Sequence, residues 1–272
     1  MILSFGSAPA ASSLSLTAGL AAALAYAMAA VAGDSRGRWP TLALLVGWLA
    51  HGVALFIDFT GLDEPPGAGA RFGFAPVLSG TAWLVLTVHV IESRWLPLPQ
   101  VRRLLAVLGA VVVILAAAFP GEPHVLAGPR WVPLHWMLGV ASYGLFGAAV
   151  LHASMLDAAE RRLRLKGNSI GPLGMPLLRL ERLTFRFVDA GFAVLTLTLL
   201  LGVWSTVQWR WDHKTVLSLL GWVVFAALIA GRHWWGWRGR RATRWVYTGA
   251  VLLLLAYVGS RFVFEVVLHR MP

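Results

Sequence analysis

The chain has 272 residues, of which 58% are hydrophobic and only 13% charged, and a mean hydropathy of +0.71. Soluble domains carry about a quarter charged residues, so this composition excludes them. With a net charge of +11 and no cysteine, the chain has basic loops to assign, but no disulfide, CxxC pair or thiolate metal site.

A membrane span needs about 20 apolar residues, and eight segments qualify: Ser13–Ala32, Pro40–Phe59, Ala75–Trp95, Val101–Phe119, Val132–Met155, Thr184–Val207, Thr215–Ala230 and Thr243–Leu268. The predicted fold is all-α: a polytopic helical bundle forming a single integral membrane domain over residues 1–272. The first run lacks a basic n-region and is long for a signal peptide, so it reads as a retained span. The seventh is short, and Trp234 and Trp235 could extend it to the interface.

The loops after spans 1, 3, 5 and 7 hold 17 of the 23 basic residues. The positive-inside rule therefore predicts both termini, and the loop between spans 6 and 7, on the extracytoplasmic side. The long loop after span 5 begins as a charged helical extension, Asp157–Lys166, with Glu160 and Arg164 spaced for an i,i+4 pair. Gly167 and Asn168 should end it, and Leu177–Leu183 reads as a basic amphipathic helix along the membrane surface.

Ionisable groups inside spans are costly and therefore functional candidates. His51 lies near the middle of span 2, and His89 and His152 lie in the inner halves of spans 3 and 5. His124, His135, His213 and His269 share the outer side, where any two could ligate one metal through neutral imidazoles. Asp189 opens span 6 and is expected to pair with Arg186 or Arg182. Arg261 and Glu265 share a helix face and can neutralise each other. Gly191, Gly221 and Gly249 suit close helix approach. No P-loop, HExxH or dinucleotide-binding motif is present.

The most informative stretch is the loop after span 6, where Trp204, Trp209 and Trp211 are followed by Asp212, His213 and Lys214. One tryptophan at a bilayer boundary is ordinary; three within eight residues offer a platform for a flat hydrophobic cofactor. This stretch resembles the cytochrome c assembly protein superfamily of CcsA/CcmC type, whose motif reads approximately W-x-W-D-x-K-E. Trp209, Trp211, Asp212 and Lys214 match it, while Thr215 replaces the glutamate. His135 followed by Ser142-Tyr143, the segment Gly236–Gly239, and Tyr257 to Glu265 also resemble the family, and the whole chain is similar to its compact eight-span YpjD/HemX-like branch. Ala230 stands where the family has a second transmembrane histidine.

The resemblance implies a haem-handling protein of cytochrome c assembly in the bacterial inner membrane, binding non-covalent b-type haem against the extracytoplasmic Trp-rich loop. His135 would ligate iron with His269 or His213 as sixth ligand, and His51 would be the transmembrane histidine. Lys214 or Arg210 would pair with a propionate, and Asp212 would orient the loop or a ligand imidazole. Such a protein chaperones its cofactor rather than catalysing bond chemistry. Its partners would be haem, membrane lipid, and either other cytochrome c assembly proteins or a cytoplasmic haem-synthesis enzyme, with no nucleic acid. The alternative is a HemX-like regulatory or scaffold protein acting through Asp157–Arg186 without obligatory haem. A weaker third reading is a permease using His51 and Asp189.

Overall fold

The structure is a computed structural model that describes residues 13–32, 37–64, 69–95, 98–124, 131–166, 177–205 and 211–268. Contacts divide the chain into two units, 1–127 and 128–272. The first contains α1 (Ser13–Val31), α2 (Arg38–Thr60), α3 (Phe74–Glu92) and α4 (Pro99–Ala118). The second contains α5 (Trp131–Lys166), α6 (Leu177–Ser205), α7 (His213–Trp235) and α8 (Gly239–Leu254). The chain beyond α8 winds on as two π-helical turns, Leu255–Gly259 and Val263–Val267, on either side of a single α-turn, Ser260–Phe262. Among the described residues, eight helices are long and apolar enough to cross a membrane.

Their surfaces say the same. On α2, Leu42, Val46, Leu49, Val53 and Phe56 repeat at helical spacing, and each is more than half exposed. Water would penalise such a stripe, whereas lipid accepts it. Many hydroxyl groups along the helices are satisfied within their own turn. Thr81, Thr87 and Thr196, for example, each donate to the carbonyl four residues back.

In the first unit, α1 packs on α2 and α4, and α3 joins α2 and α4. Two short strands, β1 (Ala70–Phe72) and β2 (Glu122–His124), pair antiparallel with Arg71 opposite Pro123. Alternating apolar residues are too few here to announce a sheet. The pairing is held by tertiary contacts: Phe72 stacks on Phe59 at 5.4 Å, and Arg71 bonds Glu64 at 2.6 Å.

In the second unit, α5 packs on α6 and α8, and α7 on α6 and α8. Its centre is a stack of Phe146 on Phe225, with ring centroids 3.9 Å apart. Gly191 and Gly249 make that stack possible, because a Cβ at either would lie 3.0 Å from Phe146 or 2.7 Å from Phe225. Trp222 ties α7 to α6 by donating to the Thr196 hydroxyl at 2.9 Å and stacking on Phe192.

Two expectations change in detail, and the extension of span 7 is met. Leu177–Leu183 is not a separate surface helix but the start of α6, which runs unbroken into the span. No breaker follows Leu183, and Leu180 and Thr184 are fully buried rather than facing an interface. Span 7 extends to Trp235, where Gly236 in the left-handed region (φ 63°) stops it. Asp189 interacts electrostatically with Arg232 on α7 rather than with Arg182 or Arg186, because α6 and α7 run side by side.

Candidate haem site

The described site residues of the second unit lie near the start of α5, the end of α6 and the start of α7. His135 lies in the second turn of α5, half-buried against α6. Its Nδ1 is 3.1 Å from the backbone carbonyl oxygen of Thr198. A carbonyl can only accept, so Nδ1 carries the proton and Nε2 presents a lone pair. This is the arrangement in which a backbone carbonyl behind the ring fixes the tautomer and orientation of a metal-ligating histidine. The imidazole fits because residue 202 is glycine: a Cβ there would lie 3.1 Å from Cε1 of His135.

Two of the predicted tryptophans are largely exposed. Trp204, at the end of α6, is 84% exposed, and Trp211, just before α7, is 72% exposed. Neither is spent on the core. Trp209 lies outside the described residues, as do Arg210 and His269. Asp212 is the N-cap of α7, and its Oδ1 accepts from the Thr215 N–H at 2.8 Å and the Thr215 hydroxyl at 2.7 Å. Burial acts to raise its carboxyl pKa, but the Thr215 bonds and the charges of Lys214 and His213 outweigh it and hold the group below the usual carboxylate range. Thr215 thus takes over the capping position that glutamate occupies in the family motif. His213, the first residue of α7, is exposed, and Lys214 is half-buried with Nζ 6.0 Å from the ring centroid of Tyr257.

The remaining histidines are engaged differently. His51, 1% exposed, has both nitrogens in hydrogen bonds, to the Tyr26 hydroxyl at 3.2 Å and the Ser79 hydroxyl at 2.8 Å. Neither is left for a metal. His152 turns Nδ1 to its own helix at Ala148, and His124 turns Nδ1 to the Glu122 carbonyl. Among the described residues, no three His, Asp or Glu side chains converge on a bare metal ion.

Comparison with known proteins shows the family. Residues 13–268 match the family described as Cytochrome C assembly protein. The chain belongs to the cytochrome c assembly protein family. Among its relatives is the inner membrane protein YpjD of Escherichia coli, 30% identical over 247 residues, covering 86% of this chain and 90% of that one. Cytochrome c biogenesis protein CcsA of Prochlorococcus marinus is 23% identical, covering 66% of this chain and 68% of its own, and CcsA of Mesostigma viride is 28% identical over 160 residues. No solved structure matches.

A planar iron porphyrin suits the donor set on three counts: a half-buried imidazole with a directed lone pair, exposed indoles at the end of α6 and just before α7, and a cation at the start of α7. Sequence reasoning missed Gly202 and the Thr198 carbonyl. Glycine near the end of an apolar helix, one turn beyond a threonine, was the signal available.

Proposed function

We propose that this protein binds haem at the His135 end of its second unit and handles it for cytochrome c biogenesis in the bacterial inner membrane. The observation that carries the proposal is the Nδ1–H···O=C bond from His135 to Thr198, which leaves Nε2 directed away from its supporting helix. Trp204, Trp209 and Trp211 would offer ring faces, Lys214 would meet a propionate, and His269 or His213 would complete the axial pair. Bound there, haem would supply an iron centre that accepts imidazole nitrogen. The protein's part is to hold, orient and shield that group, with both termini and the Trp-rich loop on the extracytoplasmic side. His51 falls outside this set, since its nitrogens already serve Tyr26 and Ser79.

The test is cavity rescue. A His135→Gly variant, purified in detergent and titrated with haem, should lose the six-coordinate Soret band and regain it on addition of imidazole. Retention of the wild-type spectrum by His135→Gly without imidazole would overturn the ligand assignment.

A second reading has its own observation. A groove of about 600 Å³ runs between α5, α6 and the start of α8, lined by Leu163, Leu178, Glu160, Glu181, Arg164 and Arg240, and beside it Arg161 and Arg162 are exposed. In this reading the face engages a soluble haem-synthesis enzyme. Charge reversal at Arg161, Arg162 and Arg164 should then abolish recovery of that enzyme, and unchanged recovery would exclude the reading.

A further inference from the structure

Among the described residues, π-helical geometry occurs only in the segment after α8, and its first turn carries the tyrosine beside Lys214. In its two π-turns the backbone bonds run from i to i+5 instead of i to i+4. Such turns are rare and concentrate at functional sites. The first carries Tyr257 and the second Glu265, with Arg261 between them. The Tyr143 hydroxyl donates to the Leu253 carbonyl at 2.5 Å, fixing the segment to α5 just before the first π-turn.

Two cations converge on this segment. Lys214 Nζ lies 6.0 Å, and the Arg261 guanidinium 5.9 Å, from the centroid of the same Tyr257 ring. Lys214 also sits in the first turn of α7, the helix end where a positive side chain is electrostatically disfavoured. Arg261 is only 12% exposed, its contact to Glu265 is long at 4.0 Å, and its Nε is buried with no hydrogen-bond partner. A buried guanidinium donor without an acceptor is expensive. So two cations approach one aromatic ring, and one of them retains a buried donor without a partner. Glu265 acts on both cations but stands 4.0 Å from Arg261, so a ligand oxyanion would be a closer complement.

We propose that Lys214 and Arg261, set around Tyr257, form the carboxylate-binding site that receives the propionates of the porphyrin, with Glu265 as an internal competitor for Arg261. This rests on the haem reading above and adds the group that selects the acidic edge of the ligand. Arginine suits the task because its planar fork pairs with a carboxylate through two parallel bonds. Glu265, four residues on, holds the guanidinium loosely in position when no ligand carboxylate is present.

The experiment compares haem with haem dimethyl ester, titrated into detergent-purified wild type and the Arg261→Gln, Lys214→Gln and Glu265→Gln variants, with the Soret band reporting ligation by His135. Wild type should bind the free acid at least tenfold more tightly than the diester. Arg261→Gln and Lys214→Gln should each weaken the free acid about tenfold while leaving the diester and the Soret position unchanged. Glu265→Gln should tighten the free acid, an outcome that a merely unfolded variant cannot produce. Equal affinity of wild type for acid and diester would overturn this proposal alone and return the two cations to an anionic lipid headgroup. Failure of wild type to bind either porphyrin would overturn the haem reading with it.

Discussion

Gly202 offers a perturbation in which stability and binding should move apart. In Gly202→Ala the added Cβ would stand 3.1 Å from Cε1 of His135, closer than ordinary van der Waals contact by a few tenths of an ångström. The imidazole is the softer partner and must turn, lengthening its 3.1 Å bond to Thr198. Losing such a bond costs about 1 kcal/mol, and disturbing the outer-shell partner of a ligand histidine weakens metal binding roughly 10–100-fold. Against this, replacing a helical glycine by alanine favours the helix by about 0.5–1 kcal/mol. Gly202→Ala should therefore hold its thermal midpoint in detergent at or above that of wild type, yet bind haem about tenfold more weakly on Soret titration. Wild-type affinity in Gly202→Ala, or a parallel fall in stability and affinity, would refute the supporting role given to Thr198 and Gly202.

Further substitutions test other parts of the account. Asp212→Ala removes the cap of α7 and should cost about 1 kcal/mol, seen as a lower thermal midpoint. Because the Asp212 carboxyl is held below its ordinary range, its contribution is fully present above the unfolded-state pKa of about 3.9 and fades as pH falls through the lower folded value. The gap between wild type and Asp212→Ala should thus be constant near neutrality and close only in acid; a gap that closes near pH 7 would contradict the capping role. His51→Phe strands the buried Tyr26 and Ser79 hydroxyls and should destabilise by about 1–3 kcal/mol. It should leave haem titration at His135 unchanged, and a lost Soret band in a folded His51→Phe protein would return His51 to the site. Tyr143→Phe removes the donor to Leu253 and should cost about 1 kcal/mol, checked by thermal unfolding.

The eight spans were legible because twenty apolar residues in a row have few other fates. Boundaries were less so. Leu177–Leu183 carries arginines that suggest a surface helix, yet nothing in its backbone chemistry interrupts the turn, and burial of Leu180 draws it into α6. The β1–β2 pairing was invisible because each strand has three residues, held by a stacking and an ion pair made by Phe72 and Arg71 with residues seven or more positions away. At the site, residue types announced themselves through the Trp-rich motif, as did the Arg261–Glu265 pair at i,i+4 spacing. The support of His135 by Thr198, 63 residues distant, did not, because backbone carbonyls leave no mark in a sequence. The π-turns were equally hidden. Nothing in Leu255–Gly259 differs in composition from an ordinary span.

The central claim is that His135 presents Nε2 to haem iron. The most direct measurement is the reduced-minus-oxidised visible spectrum of the protein purified in detergent from haem-replete cells, alongside His135→Ala. Sharp bands of six-coordinate low-spin haem in wild type, absent from a folded His135→Ala protein, are the predicted result. A wild type that carries no haem and takes up none on titration, or a His135→Ala protein with the wild-type spectrum, would contradict it.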